Sequence, residues 1–195
     1  MKIILHGRYS RSGFTIVELL IVIVVIAVLA AISIVAYNGI QIRAKNTARV
    51  TSAQQAIKAI QSYQAANANL PLVGYTTCVT EICTDYSGTA ENASRTTLVN
   101  NMKTIANLPP SSPPAGNGGK YYGIWYNYRA TGATFDGQTG QIVLLMFWLD
   151  GLSQDCGVPN LTIQGPGEAW QRSTNKYSYN YPADNATGCW VAIVG

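Results

Sequence analysis

One carboxylate stands inside the most apolar part of this 195-residue chain: Glu18, in the run Phe14-Thr15-Ile16-Val17-Glu18-Leu19-Leu20. A lone charge near the centre of a lipid-embedded helix costs about 2.5–3.5 kcal/mol, so it needs a partner or a shallow position. Cleavage after Gly13 would create an ammonium at Phe14, four residues before Glu18. That ammonium on one copy and Glu18 on a neighbour would neutralise each other inside a bundle of identical helices. The other reactive side chains are four cysteines, Cys78, Cys83, Cys156 and Cys189. Their even number suits disulfides, with three connectivities open. The C-x4-C spacing and the wide separation of the other two suit zinc poorly. The only histidine is His6, so Ser-His-Asp and Cys-His catalysis are lost if the leader is removed. No G-x-S-x-G, P-loop or paired acidic motif is present. The sequence therefore predicts no catalytic residue, no cofactor and no metal, and Asp136-Gly137-Gln138-Thr139 reads as a hairpin turn rather than a calcium loop.

These residues need elements to hold them. Hydrophobic residues are 48% of the chain and charged ones 11%, well under the usual quarter, with a formal charge of +4. That balance excludes a disordered acidic tail and a strongly basic nucleic-acid binder. The apolar residues are concentrated between Leu19 and Ala36, with Ser33 the only polar interruption. Counted from Phe14 this is roughly 35 Å of helix, enough to cross a hydrocarbon core. Beyond it, Ile40, Ala44, Thr47, Val50, Ala53, Ile57 and Ile60 recur at helical spacing, with Arg43, Lys45, Arg49, Lys58, Gln54 and Gln61 on the other side. The bases there suit anionic headgroups near the membrane surface. The pattern predicts one helix of about 53 residues, stopped at Asn67-Ala68-Asn69-Leu70-Pro71.

The junction Arg11-Ser12-Gly13-Phe14-Thr15-Ile16-Val17-Glu18-Leu19-Leu20, after a short basic leader, closely resembles the prepilin signal of type IV pilins and type II secretion pseudopilins. The resemblance implies cleavage after Gly13 by a membrane aspartyl peptidase, N-methylation of Phe14, and a placing role for Glu18 as subunits join a filament. It also implies a filament of this chain with other pilins, an assembly platform in the membrane, and lipid around the subunit before assembly. Two departures stand out: Ser12 separates the basic Arg11 from Gly13, and no proline precedes Pro71, leaving Gly39 as the weak point of the apolar segment. An ordinary signal peptide cut near Val28-Leu29-Ala30, or a plain anchor, is the alternative reading. Both fit poorly with an apolar run that continues past that site. Charges flank the run almost symmetrically, and the leader's own amine together with the exported cysteines favours a cytoplasmic N-terminus.

The expected organisation is a leader at 1–13, a membrane or filament-core half of the helix at 14–36, an amphipathic half at 37–69, and a head at 70–195. Within the head, a mixed region (70–120) with a short helix around Leu98, Met102 and Ile105 precedes a β region (121–195). The segment Pro109-Pro110-Ser111-Ser112-Pro113-Pro114 reads as a surface loop between them. Strands are expected at Tyr121 to Arg129, at Ile142 to Leu149 (apolar on both faces, hence central) and at Cys189 to Val194, with a turn at Asp136-Gly137. The class is α+β, pilin-like: a long helix against a small antiparallel sheet. The expected disulfides are Cys78–Cys83 and Cys156–Cys189, the second resembling the C-terminal disulfide loop of many type IV pilins. Tyr177, Tyr179 and Tyr181 are candidate surface contacts, the nucleic-acid signal is weak, and Asn92, Asn160 and Asn185 lie in possible glycan acceptor triplets. The function expected is a filament subunit serving adhesion, motility or DNA uptake. A pseudopilin of a secretion or competence system is the structural alternative. A membrane-tethered binding domain that never polymerises is the alternative of another class.

Overall fold

The computed structural model describes residues 13–74, 76–83, 89–129, 133–165 and 169–195. The basic leader, with Arg11 and Ser12, lies outside the described residues. The chain divides into two units, one ending at Gln41 and the other Ile42–Gly195. One helix, α1 (Ile16–Asn67), supplies most of the first unit and opens the second. It is long and apolar enough to cross a membrane. It runs unbroken through Gly39 and ends at Asn67, where Ala68 turns left-handed at φ 55°.

In the second unit the sheet is five-stranded, with order β1 (Thr77–Cys78), β2 (Trp125–Arg129), β5 (Ile142–Asp150), β9 (Ala186–Val194) and β8 (Tyr179–Tyr181). Every pairing in it is antiparallel, and β5 is the centre strand. This is the α+β arrangement that the sequence implies, a long N-terminal helix with an antiparallel sheet. The short helix α2 (Thr89–Met102) carries Leu98 and Met102, while Ile105 lies beyond its end. A second, four-stranded sheet has order β4 (Gln138–Thr139), β3 (Thr134–Phe135), β7 (Ala169–Arg172), β6 (Thr162–Gln164). Its β3–β7 pair is parallel. The β3–β4 turn places Asp136 and Gly137 at φ 49° and 79°, the left-handed pair that a tight two-residue hairpin requires.

Successive side chains of β5 go to opposite faces, and both faces are covered. Val143, Leu145, Phe147 and Leu149 pack with Ala53, Ala56, Ile57, Ala59 and Ile60 of α1 and with Val191 and Ile193 of β9. On the other face Ile142 and Leu144 meet Phe135 and Trp170 of the second sheet. Met146 and Trp148 lie under Tyr121, Trp125, Tyr181 and Trp190. The second sheet and this aromatic layer explain why β5 has no polar face.

Three expectations are corrected. Ile40, Ala44 and Thr47 are exposed, so the buried stripe of α1 starts only near Arg49. Arg49 is fully buried rather than solvent-facing. The proline segment is not only a surface loop: Pro109 is buried, and the carbonyls of Pro113 and Pro114 accept hydrogen bonds from the Arg49 guanidinium.

Candidate functional site: the start of the long helix

The helix begins on a reciprocal cap. Glu18 lies three residues into the first turn, and its Oε2 accepts hydrogen bonds from the amide and the hydroxyl of Thr15, both at 2.8 Å. In return the Glu18 amide donates to Thr15 Oγ1 at 3.2 Å. This is the Thr-x-x-Glu capping box, and it satisfies amides that a helix start leaves without partners. It also puts the carboxylate where the helix dipole favours negative charge. Phe14 is 84% exposed just outside the cap, and a Cβ built on Gly13 would meet no described atom within 4 Å beyond its chain neighbours.

From Ile16 to Ile34 every large apolar side chain described is about half exposed or more, on all sides of the helix. Such a helix is stable only in lipid or among other helices. Residues 8–34 match the family model for the prokaryotic N-terminal methylation motif. The chain carries the leader signature of type IV pilins and pseudopilins. No curated protein and no solved structure matches it. Within the matched motif, the Thr15–Glu18 cap sets the one carboxylate at the start of the apolar helix. Proteins with this leader are structural in general.

The other candidate residues are all in the head. Cys78 is joined to Cys83 and Cys156 to Cys189, each pair 5.8 Å apart at Cα. The second bridge belongs to the core cluster beneath α1. The first lies against Gly123, at φ 78°, where a Cβ would meet the Ile82 carbonyl and Cys83. Only glycine lets the Cys78–Cys83 loop rest on the approach to β2.

Tyr177 is set apart from Tyr179 and Tyr181, which lie two apart on one face of β8. Tyr177 packs against the main core. Tyr179 sits edge-on to Trp190, with ring centroids 4.7 Å apart, and Tyr181 is 5.5 Å from Tyr121. All three are half-buried. In the glycan triplets, the hydroxyl residue two positions on is buried each time: Ser94, Thr162 and Thr187. Thr162 donates to Gln171 O at 2.9 Å and Thr187 to Gly151 O at 2.6 Å, so these hydroxyls hold strands and turns together. Asp136 accepts from the Arg172 amide at 2.8 Å and pairs with its guanidinium at 3.1 Å, which ties the hairpin to β7.

Two arrangements differ in how visible they are in the sequence. The capping box is legible there, since Thr15 and Glu18 are three apart before an apolar run. The Arg49–Asp150 ion pair, at 2.9 Å, is not, because 101 residues separate its partners. Asp150 closes β5, and its other oxygen accepts from the Gly116 amide at 2.7 Å. Asn46 donates to the Asp150 carbonyl and accepts from its amide, each at 2.9 Å. Burial weakens the hold of Arg49 on its proton, and Asp150 works against that loss.

Proposed function

We propose that the chain is a structural subunit of a type IV pilus-like surface filament. It is stored in the membrane as a prepilin with its N-terminus in the cytoplasm, cleaved after Gly13 by the prepilin peptidase and methylated at Phe14. It then packs helix to helix with other pilins on the membrane assembly platform. Residues 1–13 are the removed leader, 14–36 the membrane and filament-core segment, 37–69 the amphipathic half of α1, and 70–195 the displayed head, available for adhesion, motility or DNA uptake.

The observation that carries this reading is an apolar helix exposed all round, opened by a single carboxylate in its first turn. Glu18 is already satisfied by Thr15 before cleavage, so it enters the membrane without a bare charge. Release of the Phe14 ammonium then offers a charged partner on a neighbouring copy, and a charge-assisted hydrogen bond is about twice as strong as a neutral one. A pseudopilin of a secretion or competence machine would use the same motif; abundance in sheared surface filaments separates the two.

Mass spectrometry of the exported protein tests the reading. An N-terminus at methylated Phe14 is expected, whereas a start at Ala31 would refute it. Glu18→Ala is expected to abolish filaments while leaving membrane insertion intact, and unimpaired filaments would remove Glu18 from assembly.

A further inference from the structure

A cleft of about 570 Å³ opens on the head, lined by Glu81, Ile82, Pro110, Ser111, Pro114 and Tyr122 among others. Its character is apolar with one formal charge. Ile82 is 67% exposed within it, and Glu81 is exposed with no ion pair among the described residues. One wall is built firmly. Arg49 donates to the carbonyls of Pro113 and Pro114 from inside the head, and Ser52 Oγ donates to Ser111 O at 3.2 Å. These bonds, all within the chain, hold the proline segment against α1, so little ordering remains to oppose binding.

The second unit also carries the complement of this cleft. At the start of that unit Ile42 is 45% exposed, and Arg43 and Lys45 are exposed on the same short stretch of α1 with no ion pair among the described residues. An apolar side chain flanked by two cations matches an apolar cleft with one carboxylate. The offset between the two can be read from the helix. Arg49 and Ser52 mark the level of the cleft wall along α1, six or seven residues beyond Arg43 and Lys45, which is about 10 Å at 1.5 Å per residue. Two parallel copies set side by side, one advanced by about 10 Å, would bring the neck of one level with the cleft of the other.

We infer that this cleft receives the Ile42–Lys45 neck of a second copy of this chain, with Ile42 entering it between the flanking cations and Glu81 on the Arg43 side. The inference rests on the filament reading and specifies one of its lateral contacts. Side-by-side subunits joined in this way are related by translation along the helix and do not close on themselves, which is the geometry of an open polymer.

Two measurements on filaments of the full chain test it. Glu81→Cys combined with Arg43→Cys should give a ladder of cross-linked oligomers when sheared filaments are oxidised, and neither single variant should. Glu81→Lys should lower filament yield several-fold without changing the melting of the monomer, since Glu81 is exposed. Adding Arg43→Glu and Lys45→Glu should restore the yield. Filaments of the double-cysteine variant that give no ladder, or that link position 81 to a different protein, would overturn the inference and leave the filament reading standing. Failure of the charge reversal to recover would do the same. If the unaltered chain forms no filament with a Phe14 terminus, the filament reading fails and this contact fails with it.

Discussion

The two parts of α1 share a backbone and little else. Between Ile16 and Ile34 the helix presents Val, Ile and Leu in all directions, and the described ones are about half exposed or more. Between Arg49 and Ile60 it narrows to a stripe of Ala53, Ala56, Ala59, Ile57 and Ile60 that is almost wholly buried. Small residues there let the sheet approach closely, and β5 and β9 fill the space with Phe147, Leu145 and Val191. The contrast teaches where each half finds its stability. The second is held by its own head and folds as part of a domain. The first leaves its described large apolar side chains about half exposed or more, a surface that lipid or other helices must cover.

Truncating one large side chain in each part should expose that difference most strongly. Phe147→Ala removes a fully buried ring from the strand beneath α1 and is expected to destabilise the head by about 3–5 kcal/mol. Leu29→Ala, at a side chain 59% exposed, should leave denaturant unfolding of the same detergent-solubilised protein unchanged. Comparable losses from both would mean that the first part of α1 contributes to folding stability as the second does.

A smaller effect is expected at the boundary itself. Among the described side chains of α1, Arg49 is the first that is fully buried, and Asp150, its partner, keeps 21% side-chain exposure. Arg49→Ala would strand that carboxylate and the Pro113 and Pro114 carbonyls, for a loss of about 3 kcal/mol. Replacing the pair together, Arg49→Met with Asp150→Leu, should recover much of that loss, because a buried ion pair repays its desolvation only partly. A double variant no better than the single would show that the hydrogen bonds to the proline segment, and not the charge balance, fix the boundary. Thermal unfolding of the three proteins decides between these.

The same contrast explains what could be read from the sequence. Membrane-length apolarity and the Gly13–Glu18 junction are local patterns, as is the two-faced apolar run that makes β5 central, so all three were legible. The end of α1 was legible too, because Asn67 to Pro71 is a local stop signal. The position of Arg49 was not. Helical periodicity placed it on the polar side, and only a carboxylate 101 residues away and two proline carbonyls make its burial tolerable. The second sheet was hidden for a related reason: strands as short as Thr134–Phe135 and Gln138–Thr139 carry no alternation to detect, and β7, the parallel partner of the first, lies far along the chain.

The least expected loss lies on the head surface, where charges are solvated. Asp184 holds Lys120 at 2.9 Å and accepts from the Tyr121 hydroxyl at 2.7 Å. The hydrogen bond from Lys120, then that from Tyr121, keep the Asp184 carboxyl below its ordinary range. The same pairing holds the Lys120 ammonium above its ordinary range. A depressed carboxyl stabilises the fold at pH values above its unfolded value and loses that contribution as pH falls through its folded one. The raised ammonium contributes below its unfolded value and fades as pH rises through its folded one. The pair therefore acts across the neutral range and is lost at both extremes. Asp155, lowered by the Gly157 amide and then by Lys176, adds to the acid side. Asp184→Asn should accordingly flatten, but not abolish, the fall in melting temperature between pH 7 and acid, and it should blunt the alkaline fall as well. An unchanged acid slope in the Asn variant would mean that the Lys120 contact is as loosely solvated as the rest of the surface, and that the head, like the first part of α1, contributes little stability from its exposed side chains.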